Sequence, residues 1–142
     1  MNEQLSSMIY RLNKLLRQQM QNELRGFGIT VDQWIALRQV YLKSGNLNQK
    51  DLAVACFKER AAITRMIDLM EKKDLIERGV SKQDRREYLL YITDKGSNLY
   101  KETESLIIKS HNVFSDVLTE SEISSVLNGL LKLEKELTKK NT

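Results

Sequence analysis

Two short stretches concentrate side chains whose types and spacing suit recognition of a nucleic-acid duplex. The first gathers Lys58, Arg60, Ala61, Ala62, Thr64 and Arg65 at the start of a helical pattern. Small residues there let a helix approach base edges and thymine methyls, and Arg60 and Arg65 are long enough to reach guanine O6/N7 or a phosphate. The second sets Lys82, Asp84, Arg85 and Arg86 within five residues of a polar loop. A narrow minor groove attracts inserted arginine through its enhanced negative potential. Asp84 either orients Arg86 toward such a groove or pairs with it and stiffens the loop, which leaves Arg85 the freer groove candidate. Charge alone does not decide for DNA. Between Lys58 and Lys95 there are ten Lys/Arg and eight Asp/Glu, a net of +2, so a solvated helix face is the competing reading.

Other chemistry finds little support. A single cysteine, Cys56, and a single histidine, His111, exclude a disulfide framework, multi-cysteine zinc sites and most catalytic triads. Cys56 falls on an apolar helix face, where a cysteine without cationic neighbours is an inert packing residue. His111 has no second His or Cys to share a metal. No nucleophile–base pair and no glycine-rich phosphate loop can be assembled, so neither an enzyme nor a cofactor is expected.

The elements that position the two stretches follow from periodicity. The chain has 142 residues, 41% hydrophobic and 30% charged, with no proline, six glycines and a formal charge of +4. That is one globular domain on length, rich in helix. Leu5, Met8, Ile9, Leu12, Leu15, Leu16 and Met20 make an apolar stripe over about Asn2–Arg25, closed at Gly26. Thr30 and Gln33 form a capping box for a second helix, apolar on more than one side through Trp34, Ile35, Leu37, Val40 and Tyr41. Asn48 caps a short third helix to about Cys56. A fourth runs from about Arg60 to Lys73 with Ile63, Met66, Ile67 and Met70 inward. Two helices joined by about three residues have helix-turn-helix geometry. The period then changes to two: Leu75–Arg78 and Glu87–Ile92 read as antiparallel strands around a basic tip, a wing. Thr93 caps a long fifth helix to roughly Leu118, and Thr119 with Glu122 opens a sixth, carrying Ile123, Val126, Leu127, Leu130, Leu131 and Leu137.

The fold class is therefore mainly α with a small β wing, a winged helix-turn-helix flanked by N- and C-terminal helices. The terminal helices exceed what a small module needs for its own core. The economical explanation is that they pack against a second copy of the chain. The N-terminus has no signal-peptide pattern and no window approaches a membrane span, so a cytoplasmic location is expected.

The ordered set Leu52-Ala53, Arg60-Ala61-Ala62-Ile63-Thr64-Arg65, Glu71 to Arg78, Asp84-Arg85-Arg86 and Leu90-Tyr91-Ile92-Thr93-Asp94-Lys95-Gly96 resembles the MarR family of bacterial winged helix-turn-helix regulators. The resemblance spans essentially the whole chain. It implies one MarR-like domain over 1–142, with the winged module at about 30–92 and dimerisation helices at about 2–25 and 94–140. It implies a homodimeric, sequence-specific DNA-binding transcriptional regulator, a repressor on a palindromic operator, released by a small-molecule effector. An effector would bind between the dimer helices and the module, where Met8, Arg11, Leu12, Trp34 and Arg38 are the candidates; ordinary packing is the alternative for each. The rival function is a helical protein–protein adaptor that keeps the fold without DNA binding. The sequence departs from the family at Asp74 and Phe57, both usually glycine, and at Cys56, usually leucine. Phe57 is expected to plug the module's core.

Overall fold

The computed structural model describes residues 1–142. The elements, in order, are α1 (Asn2–Leu24), α2 (Val31–Leu42), α3 (Gln49–Ala55), α4 (Arg60–Lys72), β1 (Ile76–Val80), β2 (Tyr88–Ile92), α5 (Asp94–Ser110), α6 (Val113–Val117) and α7 (Glu120–Lys140). They fall into two compact units, Met1–Ile107 and Ile108–Thr142.

The first unit is built around α2. Its Val31, Trp34, Ala36, Leu37 and Val40 are all buried, as expected of a helix apolar on several sides. Around it pack Leu52 and Ala53 of α3, Ile63, Ile67 and Met70 of α4, Ile76 of β1, Leu90 of β2 and Tyr100 and Ile107 of α5. Each fully buried Leu, Ile or Met of this kind is worth ~1.5–3 kcal/mol of transfer free energy. Tyr100 stacks obliquely on Tyr41 at 4.3 Å and on Trp34 at 5.8 Å. Burial and a hydrogen bond to Glu104 push its phenol up to about 12.

Local chemistry fixes the helix ends. The Thr30–Gln33 capping box is complete in both directions, and Asn48 Oδ1 accepts the Asp51 N–H at 2.7 Å. At the end of α3, Phe57 N–H donates to Val54 O and Lys58 N–H donates to Ala53 O. This is a Schellman closure, with Phe57 in the left-handed position at φ 53°. The same pattern ends α4: Asp74 N–H to Glu71 O, Leu75 N–H to Met70 O, and Asp74 at φ 59°. Phe57 does not plug the core; it is 84% exposed, because the left-handed closure turns the residue at that position outward.

β1 and β2 pair antiparallel, from Ile76 opposite Ile92 to Val80 opposite Tyr88. The Asn48–Leu89 bridge attaches the hairpin to the start of α3. The Tyr91 ring lies where a Cβ on Gly79 would come within 2.6 Å and one on Gly45 within 3.0 Å, so both glycines make room for it. Gly96, which reads in sequence as punctuation, lies inside α5 and is buried. A Cβ there would sit 2.0 Å from Leu75 O.

The expected single helix from Thr93 to Leu118 is interrupted. His111 N–H donates to Ile108 O and Asn112 N–H to Lys109 O, three-residue closures that tighten the last turn of α5. Ser110, His111 and Asn112 are all modest helix formers, and α6 restarts at Val113. In the second unit α7 opens on a complete Thr119–Glu122 capping box. Its Val126, Leu127, Leu130, Leu131 and Leu137 are between 43% and 56% exposed. The stripe predicted from periodicity is thus present and uncovered. No helix is long and apolar enough to cross a membrane.

Candidate nucleic-acid interface

Helix α4 divides cleanly. Ile63, Ile67 and Met70 face the core, while Arg60, Ala61 and Arg65 are exposed and Ala62 and Thr64 half-buried. No side chain caps the first turn of α4. An uncapped helix start leaves backbone N–H groups directed outward, the arrangement that receives phosphates elsewhere. The Thr64 hydroxyl is already engaged: it donates to Arg60 O at 2.9 Å and receives a hydrogen bond from Gln49 Nε2.

The wing tip forms a turn around Ser81, which is buried. Its Oγ accepts the N–H groups of Gln83 and Asp84 at 3.2 and 3.3 Å. Asp84 Oδ1 in turn accepts Arg86 N–H at 3.0 Å and Arg86 Nε at 3.4 Å. Asp84 therefore shapes the turn first and contacts the Arg86 guanidinium at long range. The Arg86 side chain remains almost wholly open, at 93%. Lys82 and Arg85 are exposed. Arg78, at the wing base, is committed to α4 through Asp68 at 2.7 Å and Glu71 at 2.9 Å. The ion pairs fix the wing base against α4 and leave Lys82 and Arg85 exposed at the tip.

Two side chains that sequence reasoning passes over complete this frame. Glu87 Oε1 accepts Asn48 Nδ2 at 2.6 Å, so the residue that caps α3 also holds the wing. Asp32, in the first turn of α2, binds Arg17 of α1 through Oδ1 at 2.8 Å and Lys58 through Oδ2 at 3.2 Å. Partial burial raises the Asp32 carboxyl, but hydrogen bonds and charges from Arg17 and Lys58 outweigh it, and the net shift is downward. The only sequence signal for Asp32 is an acid near a helix start, which names no partner. Lys58, expected among free DNA contacts, is thus held in an ion pair with its side chain 30% exposed.

The five effector candidates do not converge on one cavity. Trp34 is buried, with its indole N–H bonded to Thr103. Arg11 borders a shallow hollow along α1 with Asn2, Glu3, Ser6, Ser7 and Tyr10. Met8, Leu12 and Arg38 are exposed.

A packed helix-turn-helix followed by a hairpin with a cationic tip is the geometry of a winged DNA reader, and residues 27–87 match the profile of the MarR family. The winged module is similar to the MarR family over those residues. The match runs from just before α2 through the wing tip. Beyond residues 27–87, the fold extends over nearly the whole chain in solved structures. The MepR–DNA complex of Staphylococcus aureus superposes with a TM-score of 0.85 at 24% identity, covering 92% of this chain and 96% of that one. AbsC, a MarR family transcriptional regulator from Streptomyces coelicolor, gives 0.87 at 22%, covering 96% and 93%. CouR from Rhodococcus jostii RHA1, bound to p-coumaroyl-CoA, gives 0.83 at 17%, covering 91% and 90%. The similarity to these chains includes the helices outside residues 27–87.

Proposed function

We propose that the chain is a sequence-specific DNA-binding transcriptional regulator, a repressor that acts as a homodimer in the cytoplasm. The observation that carries this reading is the exposed face of α4, with Arg60, Ala61 and Arg65 outward, in a MarR-like module whose wing tip is cationic and open. Helix α4 enters a major groove and the wing reaches toward the adjacent minor groove. Lysines, arginines and the start of α4 set register on phosphates, and base edges set sequence.

The dimer reading rests on apolar side chains left uncovered within each unit. In α1 these include Leu5, Met8, Ile9, Leu12 and Leu15, between 39% and 57% exposed; α7 carries its own open stripe. Surfaces of this kind mark protein contacts, and a second copy is the partner that a two-fold reader of DNA requires. That a small-molecule effector acts on such a fold is supported by CouR, which is bound to p-coumaroyl-CoA. Such a ligand would shift the population between DNA-competent and incompetent dimers. Met8, Arg11, Leu12 and Arg38 are open to it, whereas Trp34 is not without repacking.

Selection of bound sequences from random duplex DNA tests the reading. The expected product is an inverted repeat with half-sites ~10 bp, or ~34–36 Å, apart. A chain that enriches no sequence and binds no duplex would instead be a fold-retaining adaptor. Sedimentation as a monomer at micromolar concentration would overturn the dimer.

A further inference from the structure

Two cations from two different elements are spent on one carboxylate. Arg17 of α1 and Lys58, just ahead of α4, occupy separate oxygens of Asp32 in α2. Lys58 also stands at the closing position of the α3 Schellman motif, where an apolar residue usually packs back on the helix. Here the stem is half-buried and the ammonium is drawn to Asp32. The ammonium therefore faces a carboxylate rather than solvent, two positions in sequence ahead of Arg60.

Resting on the DNA-binding reading above, we propose that Asp32 is a specificity-determining residue: it holds Lys58 away from the DNA backbone and so suppresses binding to non-cognate duplex. A lysine contacting phosphate adds affinity for every sequence alike, because phosphates carry no base information. A lysine held by Asp32 adds none, and the ratio of operator to random affinity is the larger for it. Arg17 keeps the carboxylate in place from α1 and neutralises what Lys58 does not, so the cluster remains one positive charge in excess.

The test measures binding of the full-length chain to random duplex and to its selected operator as a function of salt. In Asp32→Asn, random-duplex affinity should rise at least three-fold. The slope of log affinity against log salt should steepen by roughly 0.9 for each lysine that gains a phosphate, and operator preference should fall. Asp32→Asn also adds one positive charge per chain, so two double variants with the original net charge separate local from long-range effects. Asp32→Asn with Arg17→Gln should keep the steeper slope, since Lys58 is still released. Asp32→Asn with Lys58→Met should return to the wild-type slope. Should the first double variant behave as wild type, the effect is one of net charge and the inference falls. It falls equally if the random-duplex slope of Asp32→Asn is unchanged while the wild type binds. A wild-type chain without salt-dependent duplex binding would overturn the DNA-binding reading itself.

Discussion

The indole N–H of Trp34 donates to the Thr103 hydroxyl at 2.8 Å, joining α2 to α5 across 69 positions of sequence. Thr103 passes the bond on to the carbonyls of Leu99 and Tyr100 and is wholly buried. Replacing it by valine keeps the shape and strands the indole N–H in a dry core. Thr103→Val should cost ~1–3 kcal/mol in urea unfolding, the penalty for an unsatisfied buried donor. Trp34→Phe combined with Thr103→Val should cost less than the two single changes added together, since neither partner is then left unpaired.

Gly96 should not tolerate a methyl group. With Leu75 O 2.0 Å from the position of a Cβ, the start of α5 would have to move off the strand region. Overpacking of a rigid core costs ~1–3 kcal/mol and more against backbone, so Gly96→Ala should lower the unfolding midpoint at least as far as a buried Leu→Ala change. Gly129, with open space around it, is the control, and Gly129→Ala should stabilise α7.

Phe57 is the opposite case. It is exposed and left-handed, so it contributes little burial and bears a steric cost. Phe57→Gly should raise stability by ~0.5–1 kcal/mol, the left-handed penalty less the added flexibility of glycine. The same change at Asp74 should gain less, because aspartate tolerates that region better. Thermal unfolding of both variants checks the order.

Cys56 should be a poor redox sensor. Burial pushes its thiol up; Lys58 opposes this, and Asp32 adds to it, leaving a net rise. The thiol therefore stays protonated at neutral pH, and the thiolate is the reactive form. Alkylation at neutral pH should run slower than for a free thiol in the unfolded chain. Peroxide should release Cys56→Ser and wild type from DNA equally; selective release of the wild type would assign Cys56 a sensing role.

The wing arginines should act together on DNA. Changing Arg85 and Arg86 to alanine should make the salt slope shallower by roughly 0.9 for each phosphate no longer neutralised and erase any preference for A·T flanks. The half-site preference set by α4 should survive. By contrast, Arg65→Ala should cost ~1–3 kcal/mol on the operator if it reads a base edge, and equally on all duplexes if it reads phosphate.

Sequence order carries most of this architecture. Two-residue alternation locates the wing, and three- and four-residue spacing locates α1, α2, α4 and α7, because burial on one face leaves a periodic trace. The capping boxes at Thr30 and Thr119 are legible because each is a local exchange of two hydrogen bonds. What escapes is long-range. Nothing in the sequence pairs Asp32 with Arg17 and Lys58, or Asn48 with Glu87, since those contacts depend on how separate elements meet. Gly96 reads as a boundary because a glycine needed for close approach and one needed for a turn are the same letter. Phe57 reads as core because aromatic residues usually are, and the backbone closure that turns it outward leaves no periodic signature. The break after Ser110 is hidden by an apolar stripe that continues across it.

The Asn48 amide has a further consequence. One end accepts a backbone N–H of α3 and the other donates to Glu87, while Arg78 binds the opposite strand to α4. The hairpin is therefore braced at its root by both helices of the helix-turn-helix. Any flexing must come from the five residues between Ser81 and Glu87. The hairpin is accordingly a fixed forearm with a short finger: the span from α4 to the wing root is a built-in caliper, and on the proposed DNA target only the fingertip would adapt to the width of a groove.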